Sequence, residues 1–180
     1  MEKLIPMRNK SELKQGLKNL IDYPKINTLT VIEIGCYTGE SSVIFAEQEN
    51  VKHLYCVDPW LGGYDNQDGA SKSDMKLVES TFDDRIEKYK NKITKIKKKS
   101  AEALGYFLDN DIKVDLVYID GNHQEEAVTE DINNYKQIIK EGGYISGHDW
   151  QSDGVKLSIQ KIFNKKPDKI FSDRSWIIKL

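Results

Sequence analysis

Two short stretches hold residue types that could share one piece of chemistry. Asp120 is followed by Gly121 and, three residues on, by His123; His148-Asp149 stands between Gly147 and Trp150. Carboxylates and imidazoles in such numbers can hold a divalent cation. A hard ion such as Mg²⁺ takes few protein carboxylates and keeps several waters, whereas imidazole suits Mn²⁺, Fe²⁺ or Zn²⁺ better. The open positions would accept a substrate hydroxyl and lower its pKa. Asp120, His148 and Asp149 are the candidate metal ligands. His123, with an unperturbed pKa of about 6.5, is the candidate general base, with Asp120 as its catalytic companion. A structural reading stays open: Asp120 caps a helix, His148 bonds within its loop, and no ion is bound.

A second constellation lies upstream, in Glu33-Ile34-Gly35-Cys36-Tyr37-Thr38-Gly39-Glu40-Ser41. Gly35 lets the chain turn sharply, and Gly39 removes a side chain where a helix would begin. Together they leave room for a ligand against backbone N–H groups. A dinucleotide site would prefer G-x-G-x-x-G, but position 37 is Tyr. Glu33 also places an anion where a pyrophosphate would be repelled, so a cationic or zwitterionic ligand fits better. Asp58 follows at close to the ~20-residue spacing of a ribose-binding acid. Its alternative is an ordinary turn aspartate before Pro59.

These residues act together only if the intervening chain brings them to one edge. Ser11 to Ile21 reads as an amphipathic helix capped by Ser11, with Leu13, Leu17, Leu20 and Ile21 on one face. Strands are expected at Leu29–Ile34, Leu54–Val57, weakly around Ile93–Lys99, at Val114–Ile119 and at Tyr144–Gly147. Helices are expected from Glu40 to about Gln48, Asp74 to Tyr89, Ala101 to Leu108 with Ser100 as cap, Gln124 to Lys140 stopped by Gly142-Gly143, and Gly154 to Phe163. Lys169–Phe171 and Ser175–Lys179 read as a hairpin turning at Ser172-Asp173-Arg174. Alternating strands and helices imply right-handed crossovers and a mostly parallel, Rossmann-like sheet with helices on both faces. The hairpin adds an antiparallel element. Such sheets bind ligands beyond the carboxyl ends of their strands. Gly35, Asp58, Ser100, Asp120 and His148-Asp149 each fall just past a strand.

The paired motifs Glu33-x-Gly35-x-x-x-Gly39 and Asp58 resemble those of class I S-adenosylmethionine (SAM)-dependent methyltransferases. The later run Ile119-Asp120-Gly121-Asn122-His123, Asp131, Gly142-Gly143 and Gly147-His148-Asp149-Trp150 resembles the small group that includes the macrocin-type sugar O-methyltransferases. Gly154-Val155 and Ser175-Trp176-Ile177-Ile178 look like that group's end, so the likeness runs from about Leu29 to Leu180. It implies SAM as cofactor, with Gly35 and Gly39 along the methionine tail and Glu33 supporting that pocket. Asp58 would hold the ribose, with Pro59 and Trp60 near the adenine and Ser100 and Ala101 at its edge. Asp120 would face the methionine portion or a metal. Similar sugar methyltransferases carry an acidic pair where this chain has His148-Asp149, which leaves Mg²⁺ or Mn²⁺ open.

Composition bounds the remainder. The 180 residues suit one methyltransferase domain, with residues 1–28 as an N-terminal helical segment. A net charge of -2 argues against nucleic acid or an anionic membrane as main partner. Met1 to Lys10 lacks the apolar core of a secretory signal, and Cys36 and Cys56 read as buried thiols of a cytoplasmic protein. The lysines from Lys88 to Lys99 read as an edge strand rather than a nucleic-acid patch. Trp60 to Ser73, with Tyr64, reads either as a lid or as a surface loop, and Trp150 either as a wall of the acceptor pocket or as core. Asp131 is expected to be exposed or capping. The expected partner is a small-molecule acceptor, and the oligomeric state is open. The rivals are a SAM-binding module without catalysis and an NAD-dependent oxidoreductase, which the glycine pattern disfavours.

Overall fold

The computed structural model describes Ile5, residues 11–63 and residues 69–180. Tyr64 and most of the segment from Met1 to Lys10 lie outside the described residues. Among those described, the strands form one seven-stranded sheet in the order β3-β2-β1-β4-β5-β7-β6. These are β1 (Leu29–Ile34), β2 (Val51–Val57), β3 (Ile93–Ile96), β4 (Val114–Ile119), β5 (Ile139–Gly147), β6 (Lys169–Ile170) and β7 (Trp176–Lys179). The first five run parallel, while β7 is antiparallel to β5 and to β6.

The alternation within each strand sends side chains to two separate cores. On one face Leu29, Val31, Leu54, Leu116 and Tyr118 pack with α1 (Ser11–Asp22), α2 (Glu40–Ala46) and α3 (Met75–Ile86). On the other, Ile32, Ile34, Val57, Val117 and Ile119 pack with α4 (Ser100–Asp109), α5 (Glu125–Tyr135) and α6 (Asp153–Phe163). The Rossmann-like expectation and the closing hairpin both hold. No helix among the described residues is long and apolar enough to cross a membrane.

The largest departure from the sequence reading is around Gly142-Gly143. The helix expected to reach Lys140 ends at Tyr135, passes through one 3₁₀ turn over Lys136–Ile138, and gives way to β5 at Ile139. The two glycines lie inside that strand. A Cβ on Gly143 would meet Ile139 Cγ2 at 2.6 Å and the Asp115 carbonyl at 2.9 Å, and Gly142 has φ 71°. The glycines therefore permit an irregularity in the β4–β5 ladder, which shifts register between Val114 and Leu116.

The lysine-rich segment contains the edge strand, β3, which takes only Ile93–Ile96 of the stretch from Lys88 to Lys99. Lys95 on β3 pairs with Glu79 and Asp83 of α3 at 2.9 and 2.6 Å, and Lys97 reaches Glu79 at 2.6 Å. These cations are spent on the neighbouring helix.

Candidate active site at the carboxyl edge of the sheet

The parallel ladder β2-β1-β4-β5 brings the ends of all four strands to one edge. Ile34 lies between Val57 and Ile119, and Ile119 lies beside Gly147. The residues that follow them, Gly35, Asp58, Asp120 and His148, are therefore neighbours.

Gly35 (φ 84°) turns the chain at the end of β1. A Cβ there would stand 2.3 Å from the Asp120 carbonyl oxygen and 2.6 Å from Gly121 Cα. Gly39 (φ 80°) starts α2, and its Cβ would stand 2.9 Å from Phe82 Cδ2. This corrects the reason given for both glycines. The space beside each is filled by the protein itself, by the β4 turn and by the Phe82 ring.

Asp58 holds the turn in place. Its Oδ2 accepts the N–H groups of Cys36 and Tyr37, both at 2.9 Å, and its Oδ1 accepts Trp60 N–H at 2.6 Å. Burial raises its pKa against these three donors. On the opposite side Arg85 of α3 donates to the Thr38 carbonyl at 2.8 Å, to its hydroxyl at 2.6 Å, and to the Ile5 carbonyl at 2.7 Å. Sequence reasoning passed over Arg85. The available signal was its place on the apolar stripe of α3, three residues after Phe82 and seven after Val78.

Glu33 is fully buried within β1. Its carboxyl accepts the hydroxyls of Ser41 and Ser42 and lies 3.7 Å from Cys56 Sγ. Desolvation outweighs these bonds and pushes its pKa up to about 7. The fixed anion expected at this position is thus half protonated near neutrality.

Trp60 departs from the adenine-side role that the resemblance implies. It is buried against Phe82 at 4.8 Å between ring centroids, its indole N–H donates to the Tyr37 carbonyl, and Lys95 Nζ lies 4.6 Å over its ring. Pro59, just before it, is half-buried. Ser100 is the first residue of α4 rather than its cap, which is Lys99. The Ser100 hydroxyl donates to Asp131 and its carbonyl accepts the Tyr135 hydroxyl at 2.8 Å. That hydroxyl is committed to α5, whereas Ala101 is exposed. Asp131 is buried, contrary to expectation, and desolvation pushes its pKa up to about 6.

The acidic and histidine residues converge. Asp149 Oδ2 lies 2.8 Å from His123 Nε2 and 3.2 Å from His148 Nδ1. Asp120 Oδ1 lies 3.8 Å from each of the same two nitrogens. Asp149 adopts φ 53°, an uncommon conformation for a residue with a side chain. Gly154 at the start of α6 admits this packing, since a Cβ there would meet the His123 carbonyl at 2.2 Å. Trp150 is partly buried, packs on the α4–α6 core, and donates its N–H to the Arg174 carbonyl at 3.1 Å.

Two points differ from the sequence reading. Asp120, His123 and Asp149 offer ligand atoms that all lie within 4.8 Å of one another, so His123 stands inside the candidate metal cluster rather than behind it. The neighbouring carboxylates, Asp120 first and then Asp149, push His123 up to about 10. In this arrangement His123 is an imidazolium near neutrality, and the free base expected from its ordinary pKa is not present. Despite the 2.8 Å approach, His123 Nε2 is buried with no hydrogen-bond partner.

A family model described as a methyltransferase domain matches residues 32–150. Uncharacterized protein R132 of Acanthamoeba polyphaga mimivirus is 29% identical over 152 residues, which is 83% of this chain and 64% of that protein. The chain thus spans less than two thirds of the length of that relative. The precorrin 8w decarboxylase of Methanobacterium thermoautotrophicum superposes with a TM-score of 0.62 at 14% identity, covering 98% of this chain and 88% of that one. The O-methyltransferase from Bacillus cereus in complex with SAH superposes with a TM-score of 0.66 at 11% identity, covering 97% and 82%. At such identities the likeness is one of fold, that of class I SAM-dependent methyltransferases. The matched residues run from within β1 to just past His148-Asp149, and on that match the chain belongs to the methyltransferase-domain family.

Proposed function

We propose that the chain is a SAM-dependent O-methyltransferase that activates a small hydroxylated acceptor with a divalent cation. A sugar is the first acceptor class to test, on the resemblance of Asp120-Gly121-x-His123 and Gly147-His148-Asp149 noted above. The observation that carries the reading is the convergence of Asp120, His123, His148 and Asp149 beside the Gly35 turn, where Gly35 touches Asp120 itself.

SAM supplies a methyl group on a sulfonium, and a Mg²⁺ or Mn²⁺ ion would lower the pKa of the acceptor hydroxyl. Asp120, His123 and Asp149 would hold the cation, with His148 alongside. The donor set fits: two carboxylates and converging imidazoles, with the cation taking the place of the proton that Asp120 and Asp149 otherwise hold on His123. In the transfer the acceptor O–H gives its proton to solvent water, the oxygen forms a bond to the methyl carbon, and the carbon–sulfur bond breaks to leave a neutral thioether. The protein's part is to fix the donor pocket and the acceptor edge relative to each other. In-line approach of oxygen to methyl then comes from position. Asp58 and Arg85 clamp the glycine turn from two sides, and the backbone contact between Gly35 and Asp120 ties that turn to the cation ligands.

The test is calorimetry with SAH and, separately, Mn²⁺, followed by SAH release across a panel of hydroxylated acceptors. Asp149→Ala should lose Mn²⁺ binding and turnover while keeping SAH affinity. Absence of SAH binding would refute the cofactor reading. SAH binding with turnover indifferent to chelator would refute the cation's part.

A further inference from the structure

Gly16 stands in the middle of α1, where glycine weakens a helix. The structural reason is a close approach: a Cβ there would lie 2.1 Å from Asp173 Cγ. Asp173 belongs to the turn between β6 and β7 and is 9% exposed. Its Oδ1 accepts the N–H and the hydroxyl of Ser175, at 3.2 and 2.6 Å. Its Oδ2 is buried with no hydrogen-bond partner. Besides His123 Nε2, the same holds for Tyr118 OH and His148 Nε2.

These three orphaned atoms belong to one region. The hairpin turn is stitched to the segment carrying His148. Trp150 N–H donates to the Arg174 carbonyl at 3.1 Å, the Trp176 indole N–H donates to the His148 carbonyl at 2.9 Å, and Trp176 pairs with Gly147 in the ladder. Tyr118 approaches from β4, two residues before Asp120 and between Glu33 and Ser146 in the sheet. The charge of Asp173 acts on both His148 and Tyr118. His148 meanwhile turns its other nitrogen, Nδ1, toward Asp149 Oδ2 at 3.2 Å and Asp120 Oδ1 at 3.8 Å.

The chemistry of the three atoms is complementary. A ring N–H donates, a carboxylate oxygen accepts, and a phenol does either. Buried polar groups of this kind find partners through internal water when no side chain reaches them, and such waters make two to four bonds. A histidine that ligates a metal through one nitrogen commonly gives its other N–H to a carboxylate, carbonyl or water, which fixes the ring.

We propose that Asp173 is a positioning residue for His148. Through a buried water shared with the Tyr118 hydroxyl it accepts the Nε2 proton, and so turns Nδ1 toward Asp120 and Asp149. The part of this that concerns the cation rests on the reading of the cluster given under Proposed function. The hairpin and α1 contribute no cation ligand, yet they set the orientation of one flanking the cluster.

The chain holds three histidines, so ¹⁵N-histidine labelling gives few ring signals. The wild type should show a slowly exchanging proton on His148 Nε2. Asp173→Asn keeps an oxygen for Ser175 but turns an amide N–H toward the water, and should speed that exchange at least tenfold. Mn²⁺ alone, titrated by calorimetry, should bind about tenfold more weakly or worse. His53, on β2 and bonded to Thr94 at 2.9 Å, should not change. Gly16→Ala, which drives Asp173 aside, should act in the same direction. If Asp173→Asn folds poorly, Tyr118→Phe removes only the hydroxyl, and faster exchange is again expected. Exchange unchanged in both Asp173→Asn and Tyr118→Phe overturns the proposal, whatever Mn²⁺ does. An Asp173-dependent proton in a protein that binds no Mn²⁺ supports the positioning and overturns the cation reading alone.

Discussion

Glu33→Gln isolates the effect of burying one carboxyl in the first strand. The wild-type group is fully buried, and its pKa rises from 4.5 to about 7, chiefly through desolvation. In the unfolded chain it ionises near the ordinary glutamate value. Below that value both states hold the proton and the group is neutral to stability. Between the two values only the folded protein holds it, so stability falls as pH rises, and above the folded value the loss is complete. At about 1.4 kcal/mol per pKa unit the total is about 3 kcal/mol. Glutamine carries no titrating proton and can bond both Ser41 and Ser42. The assay is urea denaturation followed by tryptophan emission, at a series of pH values from about 4 to about 8. The stability of the variant relative to wild type should rise by about 3 kcal/mol across the series. A difference that stays flat within about 1 kcal/mol would refute the argument, because the carboxyl would then ionise alike in both states.

Three further outcomes are expected. Gly35→Ala should cost about 2–4 kcal/mol, because its Cβ would meet the Asp120 carbonyl at 2.3 Å in a positive-φ turn, whereas Cys36→Ser should cost less; denaturation midpoints compare them. Asp58→Ala should weaken SAH binding by about tenfold or more in calorimetry, since it frees the Cys36 and Tyr37 N–H groups, and equal affinity would remove Asp58 from the cofactor site. Trp60→Phe should lower the melting temperature and leave SAH affinity within about twofold, as befits a ring packed on Phe82; a large loss of affinity would return Trp60 to the adenine pocket.

The order of the central strands and helices was legible because β1, β2 and β4 end in short β-branched or apolar runs closed by Gly or Asp, at Ile34-Gly35, Val57-Asp58 and Ile119-Asp120. Period-2 and period-3.6 patterns survive folding unchanged. The candidate site was legible as a set for a similar reason: strand order in a parallel sheet decides which ends meet, and Asp120 and His148-Asp149 each follow a strand. Individual roles were less so. Whether Asp131 is exposed depends on α4 lying against α5, and whether Trp60 faces a ligand depends on where Phe82 packs. His123 looks like a base by its ordinary pKa, but Asp120, three residues before it, and Asp149, from beyond the end of β5, together change its proton affinity. Gly142-Gly143 resembles a helix stop because glycine serves equally in a strand irregularity. Each of these depends on tertiary contacts that no local pattern encodes.

The pairing of β1 with β4 has a kinetic side. Thr30 N–H donates to Asp115 Oδ2 across a separation of 85 residues, and the same pairing sets the Asp120 carbonyl against Gly35. Closing so long a loop costs entropy before any contact is gained, so this step should come late in folding. Until then β1 and β2 can join and present Asp58 to the glycine turn, but the proposed cation ligands have no fixed place beside it. The proposed capacity to bind cofactor and cation together would therefore report on the whole topology. Helical signal during refolding should recover first, and a chain stalled with only the β1–β2 pair would look largely structured while remaining unable to assemble the complete site.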